Sequence, residues 1–180
     1  AQSVLEIAAE KYPHQSGIYH FLGLVHLGKN NPEVAQQYLT IASENNSVNG
    51  DIWIHLGQAY KHLKKFEQAR ASLENAVGID STHAEALYAL GQVYRKLDQK
   101  EKSQKVLKKF KVVSDFEKTE KKLTKQLSLK PSDNDIRRER ALLYESRKDF
   151  LSAAEIWQQS YFLGDKGATA ELERVKEKMK

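Results

Sequence analysis

Cysteine is absent from the 180 residues. That excludes disulfides, thiolate chemistry and every zinc site built on sulfur. Proline occurs three times and glycine nine times, too few punctuators for a β-rich chain of this length. No apolar run approaches the roughly 20 residues that span a bilayer. The opening residues, AQSVLEIAAEKYP, carry no basic stretch followed by an apolar core, so they do not read as a signal peptide. The first residue is not methionine, and the chain is expected to be a piece of a longer protein.

The motifs of catalysis are also missing. There is no glycine-rich phosphate loop, no G-x-S-x-G elbow and no H-E-x-x-H. No cofactor is implied, and no enzymatic activity is expected. Six histidines invite a metal reading. Two ligands on one helix need a spacing of three or four to share an ion. His20 and His26 are six apart, and His55 and His62 seven apart. The exception is His20 with His55, which would approach each other on neighbouring helices.

What is present is a folding composition, 40% apolar and 29% charged, with a formal charge of +5. The charge is uneven. Residues 95–130 hold thirteen Lys/Arg and five Asp/Glu, a local +8, so the remainder carries 5 − 8 = −3. Within this segment Lys102, Lys105, Lys108 and Lys109 lie roughly opposite Val106 and Phe110 on a helical wheel. Lys118, Lys121, Lys122 and Lys125 lie opposite Leu123 and Leu127. A lysine stripe opposite an apolar stripe is the pattern of a solvated helix face. The alternative is an anion-docking surface along 102–125, for nucleic acid or an acidic surface. No aromatic residues interleave for base stacking, so no specific nucleic acid is expected.

The strongest signal is a period. WIHLGQAYKHLKKFEQARASLENA begins at Trp53; related patterns begin 34 residues earlier at Tyr19 and 34 residues later at Leu87. In the middle copy Trp53, Leu56, Tyr60, Phe66, Leu73 and Val77 recur at helical gaps, with Gly57, Ala69 and Ala76 between them. The break between helices falls near Leu63–Lys65 and the break between copies near Asp80–Thr82. Helices of about 14 residues are too short to stand alone. Each pair must bury its face on a neighbour, so interior positions repeat while surface positions drift.

This pattern resembles the tetratricopeptide repeat, a 34-residue helix-turn-helix. The matching residues are Tyr19, Trp53 and Leu87; the pairs Leu22-Gly23, Leu56-Gly57 and Leu90-Gly91; then His26, Tyr60 and Tyr94; and the small residues Ala35, Ala69 and Ser103. The later small residue is Ala42, Ala76, then Phe110, and Lys100 stands where the family places an aromatic, so the third copy departs from the pattern in its second helix. The resemblance implies an all-α solenoid, a right-handed superhelix of units 16–49, 50–83 and 84–117. Residues 1–15 match the second half of a unit, with Ala1, Leu5, Ala8 and Pro13 in register. A fourth, degenerate unit is expected at 134–167, where Arg140 replaces the usual Leu, and a capping helix at 168–180. Trp53 and Trp157 fall at interior positions.

Unit four is displaced by sixteen residues, an inserted helical segment at 118–133. Two arrangements remain open. In one, a new helix starts at Ser114, with Glu117 at capping-box spacing. Otherwise the preceding helix continues over 100–129, long or bent, until Pro131 stops it. Unit four then needs its own core from Leu143, Tyr144, Phe150, Ile156 and Trp157, with Leu123 or Leu127.

By the same resemblance, the first helix of each unit lines a concave groove that holds an extended peptide or a partner helix. That face carries His20, Leu24 and Leu27, then Ile54, His55, Gln58 and Lys61, then Tyr88, Gln92, Arg95 and Lys96. The carboxylate clamp of some family members is absent, because its positions hold His20, Leu24, His55, Glu85 and Ala89. The expected function is a non-catalytic protein-interaction module or scaffold whose partner is another protein or peptide. The alternative is a structural spacer or self-assembly element, with self-association through the first helix, where Val4, Leu5 and Ala8 would lack a partner helix.

Overall fold

Each helix in this chain begins and ends where the local chemistry allows. A computed structural model describes residues 2–180, with side chains from Ser3 onward; the sequence-level match at Ala1 lies outside the described residues. The helices are α1 (Gln2–Lys11), α2 (Ser16–Gly28), α3 (Pro32–Asn45), α4 (Gly50–His62), α5 (Phe66–Ile79), α6 (Ala84–Lys96), α7 (Lys100–Leu129), α8 (Asn134–Ser146), α9 (Phe150–Phe162) and α10 (Ala168–Glu177). Among the described residues there is no strand, and no helix is long and apolar enough to cross a membrane.

Caps fix several starts. Asn49 accepts the Asp51 amide at 3.0 Å, Asp133 accepts those of Asp135 and Ile136 at 3.1 and 3.3 Å, and Asp149 accepts that of Ser152 at 3.1 Å. Such caps satisfy amides that have no partner within the helix. Pro32 opens α3, where its missing N–H costs nothing.

The stops repeat too. Among the described residues the non-glycine ones with positive φ are Asn30, Lys64, Asp98 and Lys148, between 55° and 61°. Each follows a first helix. Two bonds close each turn: the Asn30 amide donates to the Leu27 carbonyl at 3.0 Å and the Asn31 amide to the His26 carbonyl at 2.9 Å. The same pair recurs at Lys64/Lys65, Asp98/Gln99 and Lys148/Asp149. This is the Schellman closure, in which a left-handed residue turns the chain while helix carbonyls stay bonded. The spacings are 64 − 30 = 34, 98 − 64 = 34 and 148 − 98 = 50, which is 34 + 16.

The sixteen extra residues lie inside α7. Helices α3 and α5 have 14 residues each and α7 has 30, a difference of 16. The capping-box alternative at Ser114 is not realised, since Ser114 is within the helix. The residues of α7 that are buried are Ser103, Val113 and Leu123. Ten residues turn a helix about 1000°, some 80° short of three full turns. The buried line therefore winds around α7.

The chain divides into two compact units, residues 1–113 and 114–180. In the N-terminal unit each hairpin packs on the next: α2 on α3, α3 on α4, α4 on α5, α5 on α6. Close approach within each hairpin depends on glycine. A Cβ on Gly23 would lie 2.5 Å from Leu39 Cγ, one on Gly57 2.6 Å from Leu73 Cγ, and one on Gly91 2.6 Å from Leu107 Cγ. Every pair is sixteen residues apart. Val4 and Ile7 of α1 are 66% exposed, while Leu5 and Ala8 are half-buried.

The C-terminal unit has its own core of Ala141, Ala153, Ile156, Trp157, Ala168 and Val175, with Tyr144, Phe150 and Leu172 packed on it. Helix α10 thus contributes to this core by packing on α9. Trp157 is a core residue whose Nε1 donates to Glu145 at 3.1 Å; Arg174 Nη2 meets the same carboxylate at 2.7 Å.

Candidate functional site

Helices α2, α4 and α6 are the first helices of successive hairpins, and α4 touches both of the others. Helix α4 buries Ile52, Ile54, Leu56, Gly57 and Ala59. Between them His55, Gln58 and Lys61 recur at a gap of three, on one side of the helix. Each reaches a neighbouring first helix. His55 Nδ1 is 2.9 Å from His20 Nε2 on α2. Gln58 Nε2 donates to Glu85 Oε1 on α6 at 2.6 Å, and Lys61 Nζ donates to Gln92 Oε1 at 3.2 Å. A polar ladder therefore crosses the shared face of the three helices.

The histidine pair is the most constrained rung. Its rings lie 5.0 Å apart, and one nitrogen must donate while the other accepts. Burial lowers the His20 pKa from its ordinary value; the nearby His55 lowers it further, and Asp51 opposes both. Asp51 Oδ1 is itself 3.4 Å from His83 Nε2. Among the described residues no group of three or more His, Asp or Glu is placed to hold a metal ion.

The expected groove residues separate into three groups. His20, His55, Gln58, Lys61 and Gln92 are half-buried and form the ladder. Tyr88, Arg95 and Lys96 are exposed; the Tyr88 ring lies 5.1 Å from Phe110. Phe110, the departure from the small-residue pattern, is thus an aromatic neighbour of Tyr88. The third group is apolar. Leu24 is half-buried, and Leu27 packs against Ala35, Leu39, Leu56 and Ala59. Ile54 is a correction. It is 1% exposed and packs against Ala76 of α5 and Ala86 of α6. Helix α4 has neighbours on several sides, so its buried arc is wider than one stripe and Ile54 lies inside it.

Sequence reasoning missed Glu85 as a groove partner, because its position matches the carboxylate clamp rather than the groove face. It also missed a cavity of about 630 Å³ at the ends of α4 and α6, lined by Lys61, His62, Lys64, Phe66, Gln92, Arg95 and Lys96. Lys61, Arg95 and Lys96 were visible as groove positions. Lys64 and Phe66 were not, since a turn residue and a helix start enter the site only through tertiary placement.

Family models of the TPR repeat and the tetratricopeptide repeat match residues 57–98 and 85–112. No curated protein matches the chain. Among solved structures, one of MamA aligns with TM-score 0.59 at 18% identity, covering 93% of this chain and 89% of that one. A second MamA structure aligns with TM-score 0.59 at 19% identity, covering 96% and 85%. A third aligns with TM-score 0.59 at 22% identity over 63% of this chain and 62% of that one. At such identities the likeness is one of fold. The 34-residue spacing of the turns, the glycine–leucine contacts and the two matching family models agree that this chain carries tetratricopeptide repeats, matched over residues 57–112.

Proposed function

We propose that the face shared by α2, α4 and α6 is a groove that holds an extended peptide or a partner helix of another protein. In this reading the chain is a non-catalytic interaction module or assembly scaffold, built of units 16–49, 50–83 and 84–117, a degenerate unit 134–167 and a cap at 168–180. One observation carries it. Tyr88, Arg95 and Lys96 stand exposed beside a polar ladder that the hairpin cores do not need. Tyrosine and arginine are the side chains that most often dominate binding energy at interfaces.

The test is selection of binders from a random peptide library on the wild-type chain, followed by affinity measurement on Tyr88→Ala. A loss of more than about 1 kcal/mol with helicity unchanged supports the groove. Undiminished binding of every selected peptide refutes it. Exposed Val4 and Ile7 favour a second reading, self-association through α1. Sedimentation of a Val4→Glu/Ile7→Glu variant tests it, and an unchanged mass distribution rejects it.

A further inference from the structure

The cavity at the ends of α4 and α6 is cationic beyond what helix capping asks. Lys61 and His62 are in the last turn of α4, and Arg95 and Lys96 in the last turn of α6. Cations there complement the helix dipole. That account does not cover Lys64, which sits outside both helices at φ 58°. Nor does it explain why the preceding turn lacks the cluster. One period earlier the positions of Lys61, His62 and Lys64 hold Leu27, Gly28 and Asn30, and the turn there closes with the same bonds.

No carboxylate lines the cavity. The acids closest in sequence are engaged elsewhere: Glu67 with Arg70 at 2.9 Å, and Asp98 with Lys100 at 3.5 Å. Among the described residues Lys61, Lys64, Arg95 and Lys96 have no carboxylate partner; Lys61 has only the neutral Gln92 amide. Four like charges around one space repel each other, and an entering anion relieves that. The volume, about 630 Å³, is that of a ligand site. Phe66 offers an apolar wall and Gln92 an amide. The positive surface does not continue along the face, which carries Glu85 and Asp51 further on. A phosphate backbone needs a continuous cationic track; a bounded cluster suits a few anionic side chains.

We propose that this cavity is an anion-binding subsite of the groove, and that the partner segment places adjacent acidic side chains in it. The proposal rests on the peptide-groove reading and narrows it to an acidic peptide. The probes are fluorescein-labelled hexaglutamate, hexaglutamine and an oligothymidine, titrated with the whole chain at about 100 mM salt. Hexaglutamate should bind, hexaglutamine should not, and amide shifts should concentrate at residues 61–66 and 92–96. Arg95→Gln/Lys96→Gln should weaken hexaglutamate about tenfold, while Lys108→Gln/Lys109→Gln, the same charge change on exposed α7 lysines, should weaken it less than about twofold. Equal losses in the two variants would mean diffuse attraction and overturn the subsite. So would an absence of hexaglutamate binding, or oligothymidine binding at least as tightly at the same amides. If library-selected peptides depend on Tyr88 yet ignore Arg95→Gln/Lys96→Gln, the groove stands and the subsite falls. If Tyr88→Ala is also without effect, both fall.

Discussion

His20 Nε2 and His55 Nδ1 lie 2.9 Å apart, joining two helices whose residues are 35 positions apart in sequence. Protonating both rings would leave two donors facing each other. Burial first, and then His55, already hold the His20 pKa below its ordinary value of about 6.5. The unfolded chain therefore binds the proton more readily than the folded one, and stability must rise with pH through that interval. The contribution is complete above about pH 6.5 and is lost as pH falls toward the lowered folded-state value. His20→Gln should reduce the drop in melting temperature between neutral and mildly acidic buffer. In the wild type the His20 ring proton resonance should titrate at lower pH than that of a peptide histidine. A His20 midpoint at or above the peptide value would contradict the arrangement.

Glycine at the hairpin contact should behave oppositely to glycine elsewhere. A Cβ on Gly57 meets Leu73 Cγ at 2.6 Å, and Leu73 is fully buried. Gly57→Ala gains helix propensity but must displace a packed leucine, which costs about 1–3 kcal/mol. Gly78, in the last turn of α5, has nothing within 4 Å of its Cβ position. There alanine should stabilise by about 0.5–1 kcal/mol. Urea denaturation of both variants checks the signs; the same sign at both positions would show that the close approach does not control the hairpin.

Much of this fold was legible because a solenoid repeats its interior. Leu22-Gly23, Leu56-Gly57 and Leu90-Gly91 mark the same contact three times, so one local pattern fixed three hairpins. The sixteen-residue offset was legible as a number, and α7 absorbs it. The site was less legible. Burial of Ile54 depends on α5 and α6 meeting α4 together, which no single-helix wheel contains. The Gln58–Glu85 rung needs the register of adjacent hairpins, and the cavity at Lys64 and Phe66 depends on a turn being brought beside the end of α6. Periodicity reports what each helix buries, but not which side chains from separate hairpins converge.

Arg140 stands where the repeat pattern expects leucine, and its guanidinium pairs with Glu120. Arg140 Nε donates to Glu120 Oε1 at 2.8 Å, and its guanidinium lies 5.8 Å from the Tyr144 ring centre. Glu120 also accepts from Tyr144 at 3.1 Å and Thr124 at 2.8 Å. Burial pushes the Glu120 pKa up, but the hydrogen bonds from Thr124 and Arg140 outweigh it and the net direction is down. Both partners of the ion pair are mostly buried, at 19% and 26% side-chain exposure, so solvent screens it weakly. Restoring the family's leucine by Arg140→Leu should therefore destabilise the C-terminal unit by about 1–3 kcal/mol, because a shielded carboxylate loses its counter-charge. Replacing both, Glu120→Leu/Arg140→Leu, should recover most of that loss, since an apolar pair of similar volume often matches a buried ion pair. The double-mutant cycle, read by hydrogen exchange within residues 114–180, should show a coupling of at least about 0.5 kcal/mol. Additive single effects would mean that Glu120 is not what holds arginine at this position.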